Sequence, residues 1–241
     1  MKPAGSRGRA GAPPDRPRLS RELIMRTALR LVDAEGVEAL TMRRLGHELG
    51  RDPMALYRYA PSRTAVLDGV AELVLDQLVI ARSDEGSDEG SDEGWEAQLR
   101  RLAHDFRALA LAHPYVVPLL VTRPLSTPLG LRPPGTLRPL ERLLGLLTEA
   151  GFAPADALHV YRAFFGFLHG HVLNELQELV ADPEETDALL RLGLHRLPPR
   201  EFPLVRSLAT ALAQYDGAAE LDEGLDILLT GLRSHLRPLR S

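Results

Sequence analysis

Two tyrosines and two arginines stand close together near residue 60, in a pattern that suits phosphate binding. Tyr57, Arg58 and Tyr59 are consecutive, and Arg63 follows four residues later. An arginine guanidinium can pair with phosphate or with the edge of guanine, and tyrosine hydroxyls donate to the sugar-phosphate backbone. The chemistry that this cluster predicts is contact with a nucleic acid.

Two short helices across a tight turn are needed to position the cluster. Thr41 is predicted to cap the first helix, which ends at Gly50, where a left-handed backbone costs least. Asp52 is predicted to cap the second helix, with Pro53 at its first position, where the missing N–H costs nothing. The alternative is an ordinary hairpin of two helices whose charges form a solvated face.

One helix before this pair completes the expected three-helix N-terminal domain, and a helix after it should touch that domain at one end and the rest of the chain at the other. Ser20 is predicted to cap a helix that ends at Gly36, and Ser62 a helix that runs to about Ala81. The first three helices should share one small core. We call residues 19–64 the head and residues 65–241 the body.

Charge is divided unevenly between the two parts. Residues 1–63 contain 13 Lys and Arg against 7 Asp and Glu, whereas the remainder contains 16 against 26. A basic N-terminal quarter, made of the first 18 residues and the head, on an acidic body fits a protein that binds nucleic acid with one end only. The chain has no cysteine, which excludes disulfides and thiolate metal sites. Without an apolar run of about 18 residues or a secretory signal, a cytoplasmic protein with no membrane segment is expected.

Two stretches of the chain are expected to lack regular structure. Residues 1–18 are rich in Gly, Pro, Ala and Arg, and form either a frayed terminus or a disordered basic arm that reaches DNA. Residues 83–94 repeat Ser-Asp-Glu-Gly three times and should be a flexible acidic loop.

The body is predicted to be helical throughout, which makes the fold class all-α. Helices are expected over about 95–112, through Leu140 and Leu147 up to Gly151, from Pro154 to about Val180, over 201–215 and over 220–236. The helix after Pro154 is apolar on more than one side, so it should pack both in its own subunit and against a second one. The expected dimer surface combines Gly166 and Gly170 with a leucine stripe from Leu221 to Leu232, although both could pack only internally.

The motifs in the head resemble the DNA-binding domain of the tetracycline-repressor (TetR) family. The resemblance rests on three runs, Leu40-Thr41-Met42-Arg43-Arg44-Leu45, Leu49-Gly50, and Leu56-Tyr57-Arg58-Tyr59 followed by Arg63. Body residues such as Trp95, Phe106, His113, Thr122-Arg123-Pro124 and Gly151-Phe152 extend it over about residues 19–237. It implies a helix-turn-helix domain and a larger ligand-binding and dimerisation domain.

Ten residues of the head are candidates for contact with a double-stranded DNA operator. By the resemblance, Pro53, Met54 and Ala55 face the groove, where apolar groups favour contact with thymine methyls. Arg58 is the candidate for guanine, and Tyr57, Tyr59 and Arg63 match positions that hold the backbone. The full set is Thr41, Arg43, Arg44, Pro53, Met54, Ala55, Tyr57, Arg58, Tyr59 and Arg63.

The resemblance also implies a cavity for a small-molecule effector in the body. An apolar or aromatic molecule is expected, with polar groups supplied by Arg123, His169 or Asn174. The predicted lining residues are Leu102, Phe106, Leu119, Arg123, Leu143, Leu158, Tyr161, Phe165, His169 and Asn174. Each of these could instead be an ordinary core residue.

One departure from the family pattern concerns metal binding. Members that bind magnesium-tetracycline use two histidines and a glutamate, and Val79, Leu119 and Asn174 stand at those positions here. A hard cation needs oxygen or imidazole ligands, so no metal and no cofactor is expected.

Catalytic motifs are not apparent in the sequence. His169 and His171 point about 200° apart on a helix and cannot share one metal, and there is no phosphate loop or nucleophile elbow. The sequence therefore predicts a homodimeric transcription regulator, by the resemblance a repressor that an effector releases from a palindromic operator. The alternative is a helical adaptor protein without a small-molecule ligand.

Overall fold

The fold is helical throughout the part of the chain that the structure, a computed structural model, describes. Residues 18–78, 94–118, 134–178 and 193–235 are described, and they contain no strand. The helices of the head and its connection are α1 (Arg21–Glu35), α2 (Met42–Leu49), α3 (Pro53–Leu56) and α4 (Arg63–Leu75), with a 3₁₀ turn at Val37–Ala39. The body has α5 (Trp95–Ala112), α6 (Pro134–Glu149), α7 (Pro154–Glu178), α8 (Pro203–Ser207), α9 (Ala209–Ala213) and α10 (Gly217–His235), with a 3₁₀ turn at Leu194–Arg196. The all-α prediction is confirmed.

The head begins each of its helices at the predicted cap. Oγ of Ser20 accepts from the N–H of Leu23 at 3.1 Å, and Oγ1 of Thr41 accepts from that of Arg44 at 3.0 Å. Asp52 accepts from Met54 N–H at 2.7 Å, and Ser62 caps α4 in the same way. Each cap satisfies an N–H that the helix itself leaves unpaired, so local sequence alone fixes where the helices start.

Close packing of α4 on α1 joins the head to the body. Gly69 of α4 lies directly against the side chain of Met25, so that even a methyl group there would overlap the thioether. Val66, Val70 and Val74 of α4 are buried in a core that continues from α1 into the body. The connecting helix is therefore part of both units.

Three helices form the centre of the body. α10 packs against both α5 and α7, and α6 packs against α7 and α4. Leu221, Leu225 and Leu229 of α10 are fully buried within the subunit. The prediction that this stripe needs a partner subunit is therefore wrong for its central residues, because α5 and α7 already cover them.

A buried ion pair ties the same three helices together. The guanidinium of Arg107 on α5 donates to both carboxylate oxygens of Glu175 on α7, at 2.8 and 2.5 Å. Nε2 of His171 lies 3.0 Å from the carbonyl of Gly217, where α10 begins. The Glu175 carboxylate occupies the space that a side chain at position 217 would need, so the start of α10 is held tightly against α7.

Two predicted helix boundaries are wrong. α4 ends at Leu75, short of Ala81, because the chain tightens into a turn in which Leu78 N–H donates to Leu75 O. Leu78 is nevertheless buried, which is why the apolar pattern continued past the helix. The single helix expected over 201–215 is α8 and α9, which meet at Leu208; none of their residues is buried, and so no packing holds one long helix together.

Several predictions lie outside the described residues. They concern residues 1–17 of the arm, residues 83–93 of the acidic repeat, and Val79, Leu119 and Arg123. Among the helices of the described ranges, none is apolar over a length that would span a membrane.

The approach of α2 to the turn that precedes α3 gives a test of the head's packing. A Cβ at Gly46 would lie 2.9 Å from the carbonyl oxygen of Arg51 and 3.2 Å from Pro53. We expect Gly46→Ala to lower the free energy of unfolding by about 1–3 kcal/mol through overpacking. Urea unfolding followed by circular dichroism measures this change.

Gly145→Ala is the matched control for this substitution. Gly145 lies inside α6, and a Cβ there meets no atom of the described residues within 4 Å. Alanine should therefore stabilise the chain by about 0.5–1 kcal/mol through helix propensity. If the two substitutions changed the free energy of unfolding equally, the close packing of Gly46 against Arg51 and Pro53 would be contradicted.

Candidate functional site

The outer surface of the head carries an exposed group of apolar and basic side chains. Met54 is 73% exposed at the start of α3, and Ala55, Tyr57 and Arg58 are exposed beside it. Only Leu56 of α3 is buried, and it anchors this one-turn helix in the head. The anchoring of α3 by a single leucine leaves its other side chains free to face a groove.

Basic side chains at the start of α2 extend this surface. Arg43 is exposed, and neither it nor Arg58 has a hydrogen-bond or ion-pair partner within the described ranges. Arg44 is engaged already, since its guanidinium lies 2.7 Å from Glu35 and 3.2 Å from Glu48. Arg43 and Arg58 are therefore the cations of this surface that can bind phosphate or a base without breaking an existing ion pair.

Arg63 and Tyr59 are used inside the head. Nε and Nη2 of Arg63 donate to the carbonyls of Leu40 and Val37, at 2.7 and 2.8 Å. The hydroxyl of Tyr59 donates to the carbonyl of Leu19 at 3.0 Å. Their assignment to DNA stays a prediction, but the structure gives both a role in holding the head together.

Aromatic rings from α5 and α7 meet in the interior of the body. Phe106 packs edge-to-face on Phe165 with ring centroids 6.3 Å apart, and Tyr161 lies 5.0 Å from Phe165. The ring of His169 completes the cluster, 5.5 Å from Phe106 and 5.3 Å from Phe165. We call these four residues the aromatic cluster. The structure thus brings together four of the predicted lining residues.

The remaining predicted lining residues are spread more widely. Leu102 and Leu143 are buried in the core, and Leu158 is half-buried on α7. Asn174 is exposed, on a different side of α7 from the buried core residues. Its role as a polar group of the cavity is untested, as are the roles of the other nine.

Burial lowers the pKa of the His169 imidazole, so this side chain is neutral at pH 7. His171, two residues along, faces the carbonyl of Gly217 and the ring of Phe167 instead. The two imidazoles therefore lie on different sides of α7 and contact different residues, as the helical geometry predicts. Across residues 18–78, 94–118, 134–178 and 193–235, no three His, Asp or Glu side chains are grouped so that they could hold a metal ion.

A direct contact between head and body escaped the sequence analysis. Nδ1 of His113, at the end of α5, lies 3.0 Å from both carboxylate oxygens of Asp33 on α1. Arg138 of α6 lies 3.4 Å from Asp76, just after α4. No signal in the sequence links His113 to a residue 80 positions away. We call these two pairs the polar joints: the first connects the body to the head, and the second connects α6 to the turn after α4.

A helix-turn-helix head joined to a helical body with an aromatic cluster defines a class of protein, the ligand-responsive transcription regulators. Two family models match the chain. Residues 24–70 match the model "Bacterial regulatory proteins, tetR family", and residues 88–236 match "Tetracyclin repressor-like, C-terminal domain". The chain belongs to the TetR family.

Named relatives agree with this assignment over most of their length. The chain is 31% identical to the tetracycline repressor protein class C of Escherichia coli, over 89% of this chain and 91% of that protein. It is 28% identical to the HTH-type transcriptional repressor DrrR1 of Streptomyces coeruleorubidus, over 96% of this chain and 86% of that one. The crystal structure of Streptomyces coelicolor ActR in complex with actinorhodin superposes with a TM-score of 0.70 at 26% identity, covering 90% of this chain and 98% of that chain.

Family membership fixes the kind of activity. The family is one of transcriptional regulators, which are not enzymes. The chain is a ligand-responsive, DNA-binding repressor that acts as a dimer, as the resemblance implied.

The division between free and engaged arginines gives a second test. We expect Arg58→Ala to weaken binding to a preferred DNA site by about 1–3 kcal/mol while leaving thermal unfolding unchanged, because its side chain is exposed. Arg63→Ala should lower the unfolding temperature as well, since it removes the donor to two backbone carbonyls. Fluorescence anisotropy with labelled duplex and differential scanning calorimetry measure the two effects.

Arg26→Ala is the charge-matched control, because Arg26 forms an exposed pair with Glu22 on α1. It should change neither quantity by more than a few tenths of a kcal/mol. If Arg63→Ala weakens DNA binding without any loss of thermal stability, its guanidinium binds phosphate and the internal role is wrong.

Proposed function

We propose that two copies of this chain bind a palindromic operator, and that an apolar or aromatic effector in the body releases them. The observation that carries the DNA half is the exposed surface of Arg43, Met54, Ala55, Tyr57 and Arg58 on a rigid, capped head. Two heads spaced about 34 Å apart, one turn of DNA, would read the two half-sites. All ten predicted head residues remain in the proposal, with Arg63 and Tyr59 acting mainly by shaping the surface.

The dimer that this proposal needs can form on the outer faces of α7 and α10. Ile227 of α10 is 77% exposed, although it is a large apolar residue. Gly166 and Gly170 of α7 are exposed, and a Cβ at either would meet no described atom within 4 Å. An open apolar face of this kind supports close approach of a second subunit.

The effector half of the proposal rests on the aromatic cluster, with Leu102 and Leu143 as buried residues of the same core. Phe106, Leu102 and Leu143 are apolar and buried, and His169 supplies a neutral polar group. This chemistry suits an organic molecule that binds without a metal. We further propose that the protein acts in the cytoplasm, where its DNA is, and that it catalyses no reaction.

The polar joints offer a route by which an effector in the body can change DNA binding by the head. An effector can release DNA only through the difference in its affinity for the bound and the released conformation. A shift of α5 or α6 on binding would be passed to α1 through His113 and Asp33, and to α4 through Arg138 and Asp76. Rotation of the heads would then remove them from the spacing of the half-sites.

Binding of the chain to DNA from upstream of its own coding sequence tests the proposed function. We expect a salt-sensitive complex at low micromolar protein or below that survives excess nonspecific duplex, since phosphate contacts make affinity fall with salt. A library of aromatic compounds should contain members that dissociate it. A protein that binds neither this DNA nor any sequence selected from random duplexes would refute the DNA half.

The joint between Asp33 and His113 gives a separate test of the coupling. We expect the double substitution Asp33→Asn with His113→Gln to leave effector affinity unchanged, while the effector's reduction of operator affinity falls by at least several-fold. Isothermal titration measures the first quantity, and anisotropy with and without effector measures the second. The control is Asp222→Asn. Asp222 lies on α10 and is the exposed partner of His104 on α5, so its substitution should leave the coupling intact. Full coupling in the double variant would show that the signal takes another route.

A further inference from the structure

His169 differs from the other histidines of the interior in having no hydrogen-bond partner in the described residues. His113 is held by Asp33, and His171 by the carbonyl of Gly217. The half-buried ring of His169 instead packs on Phe106 and Phe165, and no described group donates to or accepts from its nitrogens. Neither nitrogen of this ring is fully buried among the described residues, so a bound molecule can reach them. A ligand that covers these nitrogens without bonding to them costs free energy, and one that supplies the partner avoids that cost.

The rings around His169 favour a flat aromatic guest. Tyr161, Phe165 and His169 follow one another at intervals of four residues on α7, so they lie on one side of that helix. Phe106 of α5 faces them, edge-to-face on Phe165. Aromatic rings in this arrangement bind other rings by stacking and by edge contacts, which selects planar molecules over bulky aliphatic ones.

The charges near the cluster disfavour a cationic guest. Among the described side chains of α7 the buried carboxylate is that of Glu175, and Arg107 already binds both of its oxygens. Asp105 of α5 is exposed. A neutral imidazole has one acceptor nitrogen and one donor N–H, so its natural partner is a weakly acidic hydroxyl, which donates to the acceptor nitrogen.

We propose that His169 is the specificity-determining residue of the effector site, and that it selects planar aromatic molecules that carry a hydroxyl group over those that do not. The inference rests on the proposed function, since it places the effector in the aromatic cluster. A site with a partnerless polar group rejects the analogue that lacks the matching hydroxyl, because that analogue leaves the group unpaired. The expected preference is about tenfold, corresponding to one hydrogen bond.

A pair of probes of similar shape tests this preference. Isothermal titration of the full chain compares 2-naphthol with 2-methylnaphthalene, which replaces the hydroxyl by a methyl group. We expect the natural chain to bind 2-naphthol about tenfold more tightly. His169→Phe should bind both probes with similar affinity, because the ring remains but the hydrogen-bonding nitrogens are gone.

Three further variants make the result independent of how phenylalanine fits. His169→Leu should also lose the preference, and His169→Gln should restore part of it, because an amide can accept the hydroxyl proton. His159→Phe is the matched control: His159 is exposed on the same helix, so the preference should persist. Gel filtration and thermal unfolding of each variant confirm that it is a folded dimer before titration.

The outcomes separate this inference from the proposed function. The inference is overturned if neither probe binds up to its solubility, if the natural chain binds the two equally, or if the preference survives in both apolar variants. A hydroxyl preference that depends on His169 supports it, whether or not 2-naphthol dissociates the operator complex. Failure of every bound aromatic compound to release DNA would instead refute the coupling in the proposed function.

Discussion

The packing of α4 against α1 is the contact on which the rest of the structure depends. Gly69 lets α4 lie directly on the present position of the Met25 side chain, and the valines beyond it continue the same core into the body. Arg63 fixes the beginning of α4 to the carbonyls of Leu40 and Val37. A head held this firmly moves as one body, so that displacement of the connecting helix changes where the head points and not how it is built.

Local chemistry made most of the head predictable from sequence. Ser20, Thr41, Asp52 and Ser62 cap their helices through their own backbone neighbours, and such contacts depend on residues only two or three positions apart. Gly50 adopts the left-handed conformation that its position demanded. The resemblance to a known family then supplied the function, which these local signals could not have given.

Long-range contacts account for what the sequence did not reveal. Arg63 matches a phosphate-binding position, yet its partners are carbonyls 23 and 26 residues earlier. The leucines of α10 have the period of an interface, and only the packing of α5 and α7 shows that they are internal. Periodicity identifies an apolar face but does not name what covers it. The four residues of the aromatic cluster, in contrast, were all among the predicted lining residues. Only the structure shows that His169 has no hydrogen-bond partner in the described residues.

The brevity of α3 has a consequence for how operator preference can change. The four residues of α3 bury a single leucine, so the helix has no core of its own. Its orientation is set by the turn between α2 and α3, where Gly46 lies close to Arg51 and Pro53. If Met54 and Arg58 contact bases as proposed, a small tilt at that turn would bring them over different base steps. Mutations near Gly46 could then change the preferred operator without replacing any of the proposed contact residues.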